Sequence, residues 1–179
     1  MRKANTLQAS FLTLGLILTL GIVGCNVKVK ADTNDDDTNK PVDVPYSPDP
    51  ISGIVNNEQW NMKSGTAKPD FSDPTQLSIT LTNKESADPC NDFGYGDRSV
   101  LMRVKDETGE TKLGTGSPLR SATFFVQDGS GSHNLVTWNG KIKILEITED
   151  KVVGQAYIYM DEDHVVNGTF EIPLCEGIQ

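Results

Sequence analysis

The stretch KVVGQAYIYM at residues 151–160, followed by DEDH at 161–164 and VVNGTFEI at 165–172, decides the fold. In both apolar runs every second residue has an apolar or small side chain that could be buried. That period of two is typical of β-strands with one face in a core. The four polar residues between the runs indicate a turn. The stretch therefore predicts an antiparallel hairpin of two long strands.

The same alternation recurs upstream in shorter runs bounded by Gly, Asn, Asp or Pro. It is clearest where Leu77, Ile79 and Leu81 alternate with serine and threonine. Further strands are predicted at residues 51–55, 59–66, 99–105, 111–113, 121–127, 134–138 and 141–148. No window shows a helical period. Roughly eight or nine strands predict an all-β domain over 51–179, either an antiparallel sandwich (Ig-like or jelly-roll-like) or an eight-stranded lipocalin-like barrel.

Two details refine this prediction. In residues 141–148, Ile142 and Ile144 share one face while Leu145 lies on the other, so the alternation slips. The slip indicates either a β-bulge or burial on both faces. For the two tryptophans, Trp60 and Trp138, core packing is the expected role.

The N-terminus has a different character. Arg2 and Lys3 precede an uncharged, mainly apolar run over residues 11–22, the order of a basic and then an apolar signal-peptide region. The run ends in Ile-Val-Gly-Cys, and this junction resembles the lipobox of bacterial lipoproteins. The resemblance implies that residues 1–24 are a signal peptide. It also implies that Cys25 becomes the first residue of the mature chain and carries a diacylglycerol and a third acyl chain such as palmitate.

The resemblance further implies a location. Three acyl chains would hold the protein firmly on a membrane. Because Asn26 is not the aspartate associated with inner-membrane retention in diderm bacteria, we expect the outer membrane. A membrane-spanning helix is disfavoured, since it needs about 20 apolar residues and this run is shorter and interrupted. An ordinary secretory signal cut elsewhere is the remaining alternative.

Residues 25–50 have the composition of a tether. They contain the acidic run DTNDDD at 32–37, then four prolines and almost no large apolar side chain. Such a segment cannot offset the entropy lost on folding, so we expect a disordered spacer. The calcium-loop alternative lacks the central glycine and distant glutamate of an EF-hand. The net charge of -9 becomes two units more negative without Arg2 and Lys3, and excludes nucleic acid as a partner.

Lipidation of Cys25 leaves Cys90 and Cys175 as the remaining cysteines. In an exported domain a disulfide between them is the natural outcome. Two free buried thiols are the alternative in a reducing compartment. A metal site is disfavoured because neither cysteine has a nearby second cysteine.

The predicted disulfide would hold the loop at residues 83–97, which is the candidate binding loop. Its aspartates and glycine-spaced aromatic residues could contact a protein or glycan partner. The aromatic side chains could instead cap one end of the sandwich, and the aspartates could hold calcium. The candidate residues are Asp88, Asp92, Phe93, Tyr95 and Asp97.

Little in the chain indicates catalysis. Both histidines, His133 and His164, fall in predicted turns, and no Gly-x-Ser-x-Gly motif is present. Asp161, Asp163 and His164 are weak candidates for a metal site, although an acidic hairpin tip is more often a solvated turn. We expect no catalytic residues and no cofactor.

The sequence therefore predicts a lipid-anchored, monomeric envelope protein that acts as a non-enzymatic binding or structural module. Its partners would be the membrane and a protein or glycan. A small-ligand-binding lipocalin-like barrel is the first alternative. A metal-dependent or hydrolytic enzyme is the second.

Overall fold

The computed structural model describes residues 43–92, 96–115 and 120–176. The lipobox, Cys25 and the first part of the predicted tether lie outside these ranges. Within them the chain forms eleven strands and no α-helix. No helix in the described part of the chain is long and apolar enough to cross a membrane.

The eleven strands run in chain order from the first hairpin to the long C-terminal one. They are β1 (Ser52–Val55), β2 (Glu58–Asn61), β3 (Ser64–Pro69), β4 (Gln76–Thr82), β5 (Arg98–Lys105), β6 (Gly109–Lys112), β7 (Ala122–Asp128), β8 (Gly131–Thr137), β9 (Asn139–Ile147), β10 (Lys151–Asp161) and β11 (His164–Pro173). Sheet A has the order β2-β1-β11-β10-β9-β6, and sheet B has the order β3-β4-β5-β7-β8. Every pair of neighbouring strands in the two sheets is antiparallel.

The two sheets pack face to face around one apolar core. Trp60 and Ile158 from sheet A and Phe124, Leu77 and Ile79 from sheet B are all buried in it. The predicted all-β sandwich is confirmed. The barrel alternative is wrong, because the strands form two separate sheets and side chains fill the space between them.

The strands of sheet B cross those of sheet A. The indole Nε1 of Trp60 on β2 donates a hydrogen bond to the backbone oxygen of Arg98, the first residue of β5, at 3.1 Å. After β5, the short turn at residues 106–108 leads to β6, which lies at the opposite edge of sheet A from β2. β5 therefore spans sheet A from edge to edge, as in orthogonally packed sandwiches.

The β10–β11 hairpin is present as predicted. The register is unbroken from the pair Lys151–Pro173 to the pair Tyr159–Val165. Inside this hairpin a Cβ on Gly154 would lie 2.4 Å from Cζ of Phe170, so only glycine leaves room for the ring.

The predicted β-bulge is confirmed in β9. Ile144 lies opposite Gly154 and Glu146 lies opposite Val153, so Leu145 is the extra residue between them. The slip in alternation therefore marks a bulge rather than a strand buried on both faces. Accordingly, 44% of Leu145 is exposed.

Residues 43–50, assigned to the tether by the sequence, lie against the outer face of sheet A. Nζ of Lys141 lies 4.7 Å from the ring centroid of Tyr46, in a cation–π contact. The backbone N–H of Ser47 donates to Oδ1 of Asn167 on β11 at 3.0 Å. The contacts of the folded part therefore extend upstream of its predicted start.

The two tryptophans differ. Trp60 is fully buried, as expected. The expectation for Trp138 is wrong, because 45% of it is exposed. It lies in the crossover between β8 of sheet B and β9 of sheet A, outside the two faces that form the core.

Candidate functional site

The predicted disulfide is present, with the Sγ atoms of Cys90 and Cys175 at bonding distance. Cys175 follows β11, and its backbone N–H donates to the oxygen of Ala67 on β3 at 2.8 Å. The cross-link therefore ties the candidate binding loop to the place where the end of β11 meets β3.

Between this loop and the outer face of β3 and β4 lies a groove of about 270 Å³, here called the loop groove. Alternation along the two strands explains its polar surface. Ala67, Ile79 and Leu81 face the core, so the residues between them face outward. Thr66 lies directly opposite Thr80 in the ladder. The hydroxyl residues that line the groove are Ser64, Thr66, Ser78, Thr80, Thr82 and Ser86.

Two hydrogen bonds from β3 connect it to the loop, and one ion pair lies within the loop. Nζ of Lys84 lies 2.8 Å from Oδ1 of Asp92. Nζ of Lys68, on β3, donates to the backbone oxygen of Cys90 at 3.1 Å. The hydroxyl of Ser64 donates to the backbone oxygen of Lys84 at 2.7 Å. These contacts and the disulfide hold the wall of the groove against the sheet.

A buried carboxylate fixes one of the groove residues. Asp70 follows β3 and accepts hydrogen bonds from the hydroxyl of Ser72 at 2.5 Å and from that of Ser78 at 2.7 Å. Nε of Arg103 lies 2.9 Å from the same carboxylate. The hydrogen bonds from Ser72 and Ser78, aided by the charge of Arg103, hold the pKa of Asp70 well below its usual value. The carboxylate therefore orients the Ser78 hydroxyl at all but very acidic pH.

The candidate loop residues have separate partners. Asp88 accepts a hydrogen bond from the Asn91 amide at 2.8 Å, and Asp92 pairs with Lys84. The backbone oxygen of Asp97 accepts the N–H of Gln127 at 2.7 Å. Phe93 and Tyr95 lie outside the described residues.

The hairpin tip differs from its prediction. His164 was expected in an exposed turn, but it is the first residue of β11 and only 8% of it is exposed. Its ring packs against Phe124 with centroids 5.5 Å apart, because the strand directs this side chain into the sandwich. Nδ1 lies 2.8 Å from Oδ1 of Asp161, while Nε2 is buried and has no hydrogen-bond partner among the described residues. The other histidine, His133, is exposed, but it lies on β8, opposite Val126 of β7, and not in the predicted turn.

Of the weak metal candidates, only Asp161 and His164 share a contact. Asp163 contacts this pair through its backbone and not through its carboxylate. Its N–H donates a hydrogen bond to Oδ1 of Asp161 at 3.0 Å. Among the described residues no group of three or more His, Cys, Asp or Glu side chains is placed to hold a metal ion.

The loop groove was missed at the level of sequence, although part of its signal is visible there. Ser78, Thr80 and Thr82 alternate with apolar residues, which indicates a hydroxyl row on one face of β4. Nothing local indicates that the disulfide-held loop lies over this row. No protein-family model, curated protein or solved structure is significantly similar to this chain.

Proposed function

We propose that this chain is a lipid-anchored protein of the outer membrane and that its loop groove binds a glycan chain of the cell envelope. The observation that carries the binding proposal is the row of outward hydroxyls on β3 and β4 beneath a covalently held loop. The lipobox resemblance at Cys25 supports the anchor.

The chemistry of the loop groove suits a sugar chain. Hydroxyls such as those of Thr66 and Thr80 both donate and accept hydrogen bonds, as the hydroxyls of a glycan do. Lys68 and Lys84 add cationic donors at the rim of the same surface. No histidine or cysteine side chain is among the described residues that line it. The lining therefore favours recognition over nucleophilic catalysis.

The size of the groove supports the same class of ligand. Pockets that enclose a whole small molecule measure about 300–1,000 Å³, and the loop groove measures about 270 Å³. It therefore suits part of a longer chain that lies across the sheet. The disulfide at Cys90 holds the loop in place before binding, which reduces the entropy lost when the ligand docks.

The binding proposal is tested with hydroxyl-to-methyl substitutions in the full chain. We expect the double substitution T66V/T80V to weaken glycan binding about thirtyfold, since two hydrogen bonds of about 1 kcal/mol each would be lost. The matched control is T123V, because Thr123 lies on the outer face of β7 and does not line the groove. Binding is measured by titration against fragments of purified envelope glycans. Equal affinity in both variants, or no binding by the unaltered chain, would refute the proposal.

The anchor is tested separately. We expect C25S to abolish incorporation of a palmitate analogue and to release the chain from the outer-membrane fraction. The matched variant N26D keeps the acylated cysteine and should shift the labelled chain to the inner-membrane fraction. A C25S chain that stays in the outer membrane would show that the lipobox interpretation is wrong.

A further inference from the structure

A second cavity, here called the β6 cavity, lies between β6, the start of β4 and the end of β5. It measures about 650 Å³, a size within the range of about 300–1,000 Å³ for pockets that enclose a small molecule. The buried residues Val104 and Ile144 form part of its lining, together with the hydroxyl residues Thr108, Thr111 and Thr115. Its described lining shares no residue with the loop groove, so the two are separate sites.

The β6 cavity carries charges of both signs. Its cationic side chains are those of Lys105, Lys112 and Arg120, and its carboxylates are those of Glu107 and Glu110. Lys105 pairs with Glu107 at 3.1 Å. In the part of the chain that the structure describes, neither Lys112 nor Arg120 forms an ion pair with a carboxylate. Both cations are exposed and can therefore bind an anionic group such as a phosphate.

This mixture of charges indicates a zwitterionic ligand. A phosphate would contact Lys112 and Arg120, while an ammonium group would contact the Glu110 carboxylate. A chain with a net charge of -9 is repelled by a strongly anionic surface but not by a zwitterionic one. Phosphate and ammonium together make up the headgroup of phosphatidylethanolamine and phosphatidylcholine.

A fully exposed aromatic side chain lies at the same end of the sandwich. It belongs to Phe71, in the turn between β3 and β4. The Asp70 carboxylate accepts the backbone N–H of Ser72 at 2.9 Å and so fixes this turn. The N–H of Asp106, in the β5–β6 turn beside the β6 cavity, donates to the oxygen of Thr75 at 2.9 Å and joins the two turns. A phenyl ring held in water in this way would be stabilised by entering a membrane interface.

The chain enters the folded part beside the same cavity. The Asp43 carboxylate lies 3.0 Å from Nζ of Lys141, whose ladder partner on β6 is Lys112. Cys25 precedes Asp43 by 18 positions, which an extended chain spans in at most about 60 Å. An acyl anchor at Cys25 would therefore keep this end near a bilayer, where even a weak contact is well populated.

We propose that the end of the sandwich around the β6 cavity docks on a membrane of zwitterionic phospholipid. Lys112 and Arg120 bind the phosphate of one headgroup in the β6 cavity, and Phe71 enters the layer of headgroups beside it. This proposal rests on the lipid anchor of the proposed function and does not depend on glycan binding. Because the loop groove lies on the outer face of β3 and β4, both contacts can form in one chain.

The test uses the full chain, whose mass first confirms the acyl chains on Cys25, in vesicles of phosphatidylethanolamine and phosphatidylcholine. The reference is the same chain in vesicles of an uncharged galactolipid, which has no phosphate. Backbone amides of residue 71 and residues 106–109 should exchange about tenfold more slowly on the phospholipid, as expected if about nine copies in ten are docked. Amides of β2, at the opposite edge of sheet A from β6, should exchange equally in both. Equal exchange around the β6 cavity in the two kinds of vesicle would overturn the proposal.

Matched substitutions test the two parts of the docking surface. K112Q/R120Q should remove most of the protection that is specific to phospholipid, and F71A should reduce it about threefold or more. The control K63Q/K151Q removes two cations that do not line the β6 cavity and should keep the full protection. Each substituted side chain is exposed or half-buried, so the variants should fold. An effect of K112Q/R120Q no larger than that of the control would overturn the proposal.

Soluble glycerophosphoethanolamine distinguishes a membrane from a free ligand with the same chemistry. Added to the chain in a sugar-headed detergent, at the phosphate concentration of the vesicles, it should leave the same amides unprotected, because no tether raises its local concentration. Protection equal to that on vesicles would show that the β6 cavity takes a free small molecule, and would overturn docking on a membrane. An unacylated chain would refute the anchor and this proposal with it. An acylated chain without protection specific to phospholipid would refute the docking alone.

Discussion

The β10–β11 hairpin and the loop at residues 83–92 are held by different forces. The hairpin is held by a backbone ladder whose register is regular from Lys151 to Tyr159, and by side chains such as Ile158 and Phe170 that are buried in the core. The loop has no strand partner, and most of its residues are exposed or half-buried. The disulfide to Cys175 and the hydrogen bonds from Ser64 and Lys68 of β3 hold it from outside, and the Lys84–Asp92 ion pair stabilises it from within.

This difference shows where function can be placed. The hairpin is stable because alternate residues of β10 and β11 are buried in the core, so those residues serve packing. The loop is kept in position by a cross-link and polar contacts, which leaves the surface beneath it available to a ligand. A substitution that weakens one of these kinds of support should therefore affect one region more than the other.

The largest effect is expected from removing the cross-link with C90S/C175S. The bond spans a sequence separation of 85, for which the chain-entropy model gives about 4.5 kcal/mol of unfolding free energy. Denaturant unfolding measures the loss. Hydrogen exchange should show local opening of the loop, whereas amides of the β10–β11 hairpin should speed up only as far as the measured loss of unfolding free energy allows. A loss below about 1 kcal/mol would mean that the loop is held without the disulfide.

The hairpin is tested by F170A. Removing a buried phenylalanine ring should lower the unfolding free energy by about 4 kcal/mol. The control E171A alters the next residue, which is exposed, and should cost about 0.5 kcal/mol or less. In the F170A background, G154A should cost less than it does alone, because its Cβ would no longer meet the ring. If the losses of unfolding free energy from F170A and G154A were additive, the ring of Phe170 and Gly154 would not interact.

An intermediate effect is expected at the buried carboxylate near the groove. D70N should lower the unfolding free energy by about 2 kcal/mol at neutral pH, since charge-assisted hydrogen bonds from Ser72 and Ser78 would be weakened. The control D163N changes an exposed residue at the hairpin turn. Its cost should be about 0.5 kcal/mol or less.

The stability difference between the unaltered chain and D70N should depend on pH, and the sign of that dependence can be derived. The pKa of Asp70 is lowered in the folded state, so its contribution is complete above the unfolded value of about 3.9. It is lost as the pH falls from there through the folded pKa. The difference between the unaltered chain and D70N should therefore be constant above about pH 5 and shrink below pH 4 in urea titrations. A difference that grew on acidification would contradict this account.

The smallest effect is expected from K84Q. The Lys84–Asp92 pair is partly exposed, so its loss should cost less than about 1 kcal/mol of unfolding free energy. Hydrogen exchange in the loop should nevertheless increase, because one support of the groove wall is removed. K105Q, which removes the exposed Lys105–Glu107 pair outside the loop, is the matched control and should leave the loop unchanged. A cost as large as that of C90S/C175S would show that charge holds the loop.

The parts of the fold that were predictable share a local signal. The β10–β11 hairpin, the bulge at Leu145 and the pairing of Cys90 with Cys175 follow from alternation, from one slip in it and from the number of available cysteines. The burial of His164 was missed because an acidic turn precedes it. Only its ladder position shows that its side chain faces the core.

The candidate site was predictable only in part. The loop and its cross-link could be identified, and the contact of Asp92 with Lys84 is consistent with an ordered loop. The surface that the loop covers could not be identified, since Thr66 and Thr80 come from two strands that precede it in sequence. No pattern within those strands specifies which loop packs over them.

The sequence by itself determined the all-β class and, where the alternation is regular, which residues of a strand face the core, because a period of two depends only on neighbours along the chain. Tertiary structure alone decided the order of the strands, the crossing of the two sheets and the groove beneath the loop. The physical reason is that alternation specifies a buried face without specifying its partner. Partners are chosen when distant segments pack together and leave some edges covered and others open.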